Sequence, residues 1–190
     1  MLSFRLFGVR VVVTIWFAAL FALLFMYDAR LTTSCFIFMA AHELGHIIPY
    51  LCFGGRISAV ELLLGRIEIK RRGGAINENA ELLSLLGGSL INLIFAASFY
   101  LLKIEKLAAI NFALALFNLL PVYSLDGGEI VKNIFERFLS SWAVERLRRT
   151  LSFVFGLGIM SFGFYAIIGF RNPTIIIFGF YILFATFANN

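Results

Sequence analysis

Both histidines of this 190-residue chain fall in one five-residue stretch, His42-Glu43-Leu44-Gly45-His46, inside an apolar run long enough to cross a membrane. On a helix, residues four apart project from one face about one turn apart, so two imidazoles at this spacing can hold one metal ion. Glu43 falls beside that pair, close enough to take a proton from an activated water but badly placed to be a ligand itself. The chemistry that follows is metal-assisted hydrolysis, and imidazole ligands in such a motif favour zinc. The competing account packs two histidines and a neutralised glutamate in a core, and it must bury three ionisable groups at membrane depth with nothing gained.

Catalytic zinc usually takes three protein ligands and leaves a fourth position open. There is no third histidine, and Asp28 stands at the end of the first apolar stretch, away from the motif. Cys35 and Cys52 are 17 residues apart on one expected helix, too far to pair with each other and poorly placed as ligands. Asp126 remains, in Asn118-Leu119-Leu120-Pro121-Val122-Tyr123-Ser124-Leu125-Asp126-Gly127-Gly128. Pro121 lacks a backbone donor and the two glycines allow unusual dihedrals, so the chain can leave helical geometry there and turn Asp126 toward a metal. The alternative is an aspartate that caps a helix beginning near Glu129.

The elements that must position these groups are membrane helices. Hydrophobic residues make up 61% of the chain, phenylalanine occurs 23 times and mean hydropathy is +0.94, a composition that excludes an ordinary soluble domain. A bilayer core of about 30 Å needs about 20 helical residues per crossing. On that ruler six stretches qualify: 9–27, 32–53, 82–102, 107–123, 150–170 and 173–188. The expected fold is therefore an all-α polytopic membrane protein of about six transmembrane helices. Counted inward from Thr32, His42 lies about 15 Å and His46 about 21 Å along the second crossing.

The net charge of +5 does not point to nucleic acid, because its distribution follows the positive-inside pattern. With a cytoplasmic N-terminus, twelve of the sixteen basic residues fall inside, leaving Arg30, Lys103, Lys106 and Arg171 outside. This predicts cytoplasmic N- and C-termini. The first stretch lacks a small-residue cleavage site and reads as a retained anchor. Between the second and third crossings, Ile57–Leu62 and Arg66–Lys70 flank Gly65 and predict a short β-hairpin, whose edge is suited to pairing with an extended peptide. Val131, Ile134, Phe135, Phe138 and Trp142 recur at helical spacing among charges, which predicts an amphipathic helix over 129–149 at the inner interface. No linker or repeat divides the chain, so it reads as one membrane-embedded domain over 1–190.

His42-Glu43-x-x-His46 together with Asn118-x-x-Pro121-x-x-x-Leu125-Asp126-Gly127-Gly128 resembles the site-2 protease family of intramembrane zinc metalloproteases. The six-stretch layout is closest to the sporulation stage IV factor B group, without that group's CBS domain and without the PDZ domain of larger members. The resemblance implies that His42, His46 and Asp126 ligate one Zn2+ ion with Glu43 as general base. Gly88-Ser89-Leu90-Ile91-Asn92 matches the family's Gly-x-x-x-Asn pattern, and in family terms Asn92 and Asn118 bind substrate backbone or the oxyanion. Asparagines at these positions are equally compatible with plain interhelical hydrogen bonds. Relatives often have proline where Ser89 and Ser124 stand and a basic residue where Glu129 stands.

The expected function is thus an endopeptidase of the prokaryotic cell membrane that cuts a transmembrane or membrane-proximal segment of another membrane protein near the cytoplasmic face. The partners are that substrate and the lipid bilayer; a homo-oligomer or a membrane regulator is left open. The rival is a non-catalytic metal carrier or helix-binding adaptor. A carrier should offer ligands at several depths, whereas this chain has no histidine beyond the pair.

Overall fold

The run Val9-Arg10-Val11-Val12-Val13 is β-branched at four of five positions and pairs as a strand, although its hydropathy alone extends the first apolar stretch to residue 9. In the computed structural model, which describes residues 2–6, 9–63, 66–72, 77–170 and 174–188, the expected first crossing is therefore divided. Strand β1 (Leu2–Leu6) and strand β2 (Val9–Val13) precede helix α1 (Ile15–Tyr27). Thr14 makes the junction: its hydroxyl donates to the Leu62 carbonyl at 2.9 Å and accepts the Phe17 N–H at 3.3 Å as the cap of α1. Asp28 likewise closes α1 and caps helix α2 (Ala29–Cys52), accepting the Leu31 N–H at 2.9 Å.

Strands β3 (Arg56–Leu63) and β4 (Arg66–Arg72) form the expected hairpin, with the turn at Gly65 outside the described residues. The hairpin belongs to a four-stranded sheet of order β1-β2-β3-β4. β2 and β3 pair in parallel, and the two outer pairings are antiparallel. Register puts Leu2, Phe4, Val11, Val13, Val60, Leu62, Ile67 and Ile69 on one face, with Ser3, Arg5, Arg10, Val12, Ala59, Glu61 and Lys70 on the other. The sheet is amphipathic as a whole, and the alternation is already plain in β1 and β4.

Helices α3 (Glu78–Leu101), α4 (Glu105–Asn118), α5 (Asp126–Phe135), α6 (Ser141–Phe170) and α7 (Thr174–Ala188) complete the chain. Among the described residues, three helices are by themselves long and apolar enough to cross a membrane: α2, α3 and Ser141–Ala166 of α6. α1 has 13 residues, α4 has 14 and α7 has 15, so six full-length crossings are not supplied by helix length alone. The amphipathic helix expected over 129–149 is two pieces. Ser140 interrupts it, its carbonyl accepting the Val144 N–H at 3.0 Å and its hydroxyl the Ala143 N–H at 3.4 Å. The spacing of apolar residues runs on through that break, which is why periodicity alone joins the two pieces. Large apolar side chains such as Ile37, Ile94, Phe162 and Phe180 are more than half exposed, as lipid-facing surfaces require.

Packing divides the chain into two compact units, Met1–Ala113 and Leu114–Asn190. In the first, α2 and α3 pack so closely that a Cβ on Gly45 would overlap the Gly87 backbone, and one on Gly87 would overlap the Gly45 carbonyl. In the second, α6 and α7 pack through Gly156, Gly163 and Gly179, the small-residue contact that membrane helices use where no hydrophobic drive holds them together.

Candidate metal centre

His42 and His46 lie on one face of α2 at 6% and 8% exposure, with their Nε2 atoms 3.1 Å apart. Two nitrogens so close repel unless a proton or a cation lies between them. Two ligands about 2.0–2.1 Å from a tetrahedral zinc ion sit about 3.3 Å apart, so the observed separation fits a shared metal. Their outer nitrogens are held from α3. His46 Nδ1–H donates to the Ser84 carbonyl at 2.8 Å, and the Ser84 hydroxyl donates back to the His46 carbonyl at 2.7 Å. That acceptor places the proton on Nδ1 and leaves Nε2 with its lone pair, the tautomer a metal ligand needs.

The Asn92 amide meets His42 Nδ1 at 3.3 Å through Nδ2. Asn92 is fully buried, and its Oδ1 has no partner among the described residues. A half-turn of the amide brings that oxygen onto Nδ1, where it accepts Nδ1–H and frees His42 Nε2 to bind a cation. Asn92, which the family resemblance implies meets substrate backbone or an oxyanion, engages His42 from behind.

Gly88 makes room for both rings: a Cβ there would overlap His46 Nε2 and lie 2.8 Å from His42 Cε1. Ser84, Gly88 and Asn92 are spaced i, i+4, i+8, one stripe of α3 that serves the histidines. Glu43 is half-buried on α2, one residue on from His42. Ile57 of β3 and Ile69 of β4 line the same small cavity as His46, Ser84 and Tyr50, so the hairpin reaches the His46 side of the pair.

Asp126 is the first residue of α5 and is half-buried. It is not the cap of a helix starting at Glu129, because the helix begins at Asp126 with Leu125 as its N-cap. Asn118 ends α4 and donates its amide to its own helix, at the Leu114 carbonyl 3.0 Å away. Between them the chain folds tightly on itself, with Val122 N–H on the Leu120 carbonyl at 2.7 Å and Leu125 N–H on the Val122 carbonyl at 3.0 Å. Cβ atoms on Gly127 and Gly128 would overlap the carbonyls of Leu119, Leu120 and Val122, so the glycine pair lets the first turn of α5 lie against the loop.

Residues 103–162, which span α4, α5 and most of α6, match the family model of peptidase family M50. The whole fold is similar to that of the Site-2 Protease from Methanocaldococcus jannaschii, with a TM-score of 0.72 and 20% identity over 97% of this chain and 94% of that one. No curated protein matches the chain in sequence. The match to the family model covers about a third of the chain, and the likeness to the solved structure is one of fold.

In this fold the motif helix α2 does not stand alone, because α3 holds both of its histidines. The sequence singles out His42, Glu43, His46, Asp126, Asn92 and Asn118 but not Ser84 and Gly87, which define how α3 meets α2. The signal for Ser84 was present, four residues before Gly88 and eight before Asn92 on an otherwise apolar stripe. No signal marked Arg148 and Ser152, which hold the loop ahead of Asp126 at Tyr123.

Proposed function

We propose that the protein is an intramembrane zinc endopeptidase in which His42, His46 and Asp126 hold one zinc ion and Glu43 is the general base. The observation that carries this reading is the pair of Nε2 atoms 3.1 Å apart, each ring anchored at its other nitrogen by α3. When bound, zinc polarises the scissile carbonyl and makes water acidic enough to attack near neutral pH. Glu43 takes the proton of the attacking water and later delivers it to the leaving nitrogen. Ser84 and Asn92 keep the two imidazoles oriented, so no reorganisation is needed when substrate arrives.

The substrate is a transmembrane or membrane-proximal segment of another membrane-bound protein. A helix hides its peptide bonds in its own hydrogen bonds, so the segment must unwind near the site before it can be cut. The β3–β4 hairpin lines the His46 cavity and offers a surface on which an extended stretch can be held by backbone hydrogen bonds. Basic residues concentrated in the segments read as inside favour cytoplasmic termini and cleavage near that face.

The test is Glu43→Gln in proteoliposomes with a single-span reporter whose transmembrane segment contains a helix-breaking Asn-Pro pair. Cleavage should fall by about 10²–10⁴-fold while bound zinc is unchanged. Unchanged cleavage in a variant that keeps its zinc would overturn the protease reading and leave a metal-binding adaptor.

A further inference from the structure

Asp126 lies midway between two residues that one buried side chain holds. Tyr123 is three residues before it and Glu129 three after, and Arg148 of α6 touches both. Arg148 is 3% exposed. Its Nη2 is 2.5 Å from Glu129 Oε1 and donates to the Tyr123 carbonyl at 3.5 Å, and its guanidinium carbon lies 4.4 Å from the centre of the Tyr123 ring. Nη1 reaches Glu145 Oε2 at 3.5 Å on the same helix. One turn further along α6, the fully buried Ser152 accepts the Tyr123 N–H at 2.6 Å and donates to the Arg148 carbonyl at 2.8 Å. Both main-chain groups of Tyr123 and its ring are thus fixed by two residues of α6 four apart.

A buried guanidinium is costly to desolvate and needs partners on all sides. Here it lacks one: Arg148 Nε has no partner among the described residues. An apolar side chain would fill the same volume without that penalty, but it could not grip a carbonyl, an aromatic face and a carboxylate at once. The two glycines after Asp126 supply no side chains of their own to fix the segment. Beyond the turns the segment makes on itself, α6 grips it at Tyr123 and Glu129.

We propose that Arg148 is the positioning residue of the carboxylate ligand: by holding the chain at Tyr123 and Glu129, it sets the direction from which the Asp126 carboxylate reaches the metal. This rests on the reading of Asp126 as third ligand. Arg148 itself does not touch the metal or the substrate.

The experiment uses the full chain in detergent, with three measurements: zinc affinity by chelator competition, the visible absorption of the cobalt-substituted protein, and thermal unfolding of the metal-free form. Asp126→Asn should weaken zinc binding and change the cobalt spectrum; if it changes neither, Asp126 is not a ligand and the parent reading fails with this one. Given that Asp126→Asn has its effect, Arg148→Met should weaken zinc binding by about 10–100-fold and alter the cobalt spectrum, with Arg148→Lys in between. If Arg148→Met lowers only the unfolding temperature and leaves affinity and spectrum as in the parent, Arg148 is merely structural and this proposal alone is overturned. If Arg148→Met does not fold, Glu129→Gln and the exchange Glu129→Arg with Arg148→Glu decide. A spectrum altered by the first and restored by the second supports the proposal, and a spectrum unmoved by either overturns it.

Discussion

The α2–α3 pair and the segment from Leu119 to Glu129 both carry proposed ligands, and they are stiffened by opposite means. On α2 the histidines sit in regular helix, whose backbone is already hydrogen-bonded, so a second helix has only to come close. Gly45 and Gly87 allow that approach, after which one backbone carbonyl and one neutral amide orient the two rings. The loop ahead of Asp126 has no such scaffold. Beyond its own tight turns, it is held from α6 by a hydroxyl and a long buried cation. Ligands on regular elements need small neighbours, whereas a ligand beside irregular chain needs a large polar one.

The sharpest break in that comparison comes from adding one methyl group to each region. Gly87→Ala puts a Cβ into the Gly45 backbone, and neither helix can yield without opening the whole interface. We expect more than about 3 kcal/mol of destabilisation, the upper end for overpacking, read as thermal unfolding in detergent with loss of zinc binding. Gly127→Ala also meets backbone carbonyls, but these belong to a loop that can shift, and about 1–2 kcal/mol is expected. Equal effects would show that the loop is as unyielding as the helix pair.

Asn92→Leu follows. It removes the amide behind His42 while keeping similar volume, so zinc affinity should fall by about 10–100-fold. The metal-free protein should unfold at nearly its original temperature, because in either orientation one polar atom of the Asn92 amide is buried without a partner among the described residues and its removal offsets the lost contact. Chelator competition and thermal unfolding on the same sample separate the two effects. An unfolding temperature that falls as far as the affinity does would make Asn92 a packing residue.

What the sequence made legible follows the same division. The motif on α2 and the hairpin at 57–70 could be read because periodicity and turn residues are local signals. The misreading of residues 9–13 came from hydropathy, which scores valine alike in a strand and in a membrane helix; pairing with β3 decides it. The single amphipathic helix over 129–149 failed because Ser140 breaks the backbone without breaking the apolar spacing. Ser84, Asn92 and Arg148 act through partners 25 to 50 residues away, and one sequence does not say which surface a polar side chain will meet. Arg148 stands among Glu145, Arg146 and Arg149, where charge content alone suggests a solvated face.

The smallest effect tests whether α3 supports His46 through backbone or side chain. Ser84 uses both: its carbonyl accepts from the ring and its hydroxyl donates to the His46 carbonyl. Ser84→Ala deletes only the second bond, whose acceptor lies in a helix interior and keeps its main-chain partner, so about 0.5–1.5 kcal/mol of stability should be lost. The ring's acceptor is a main-chain atom and survives the substitution. Zinc affinity should therefore change by less than about threefold, well below the effect of Asn92→Leu. A loss as large as that of Asn92→Leu would mean that the hydroxyl holds the helices in register for metal binding. The α2–α3 pair would then depend on a polar side chain as much as the loop ahead of Asp126 does, and the contrast between the two regions would disappear.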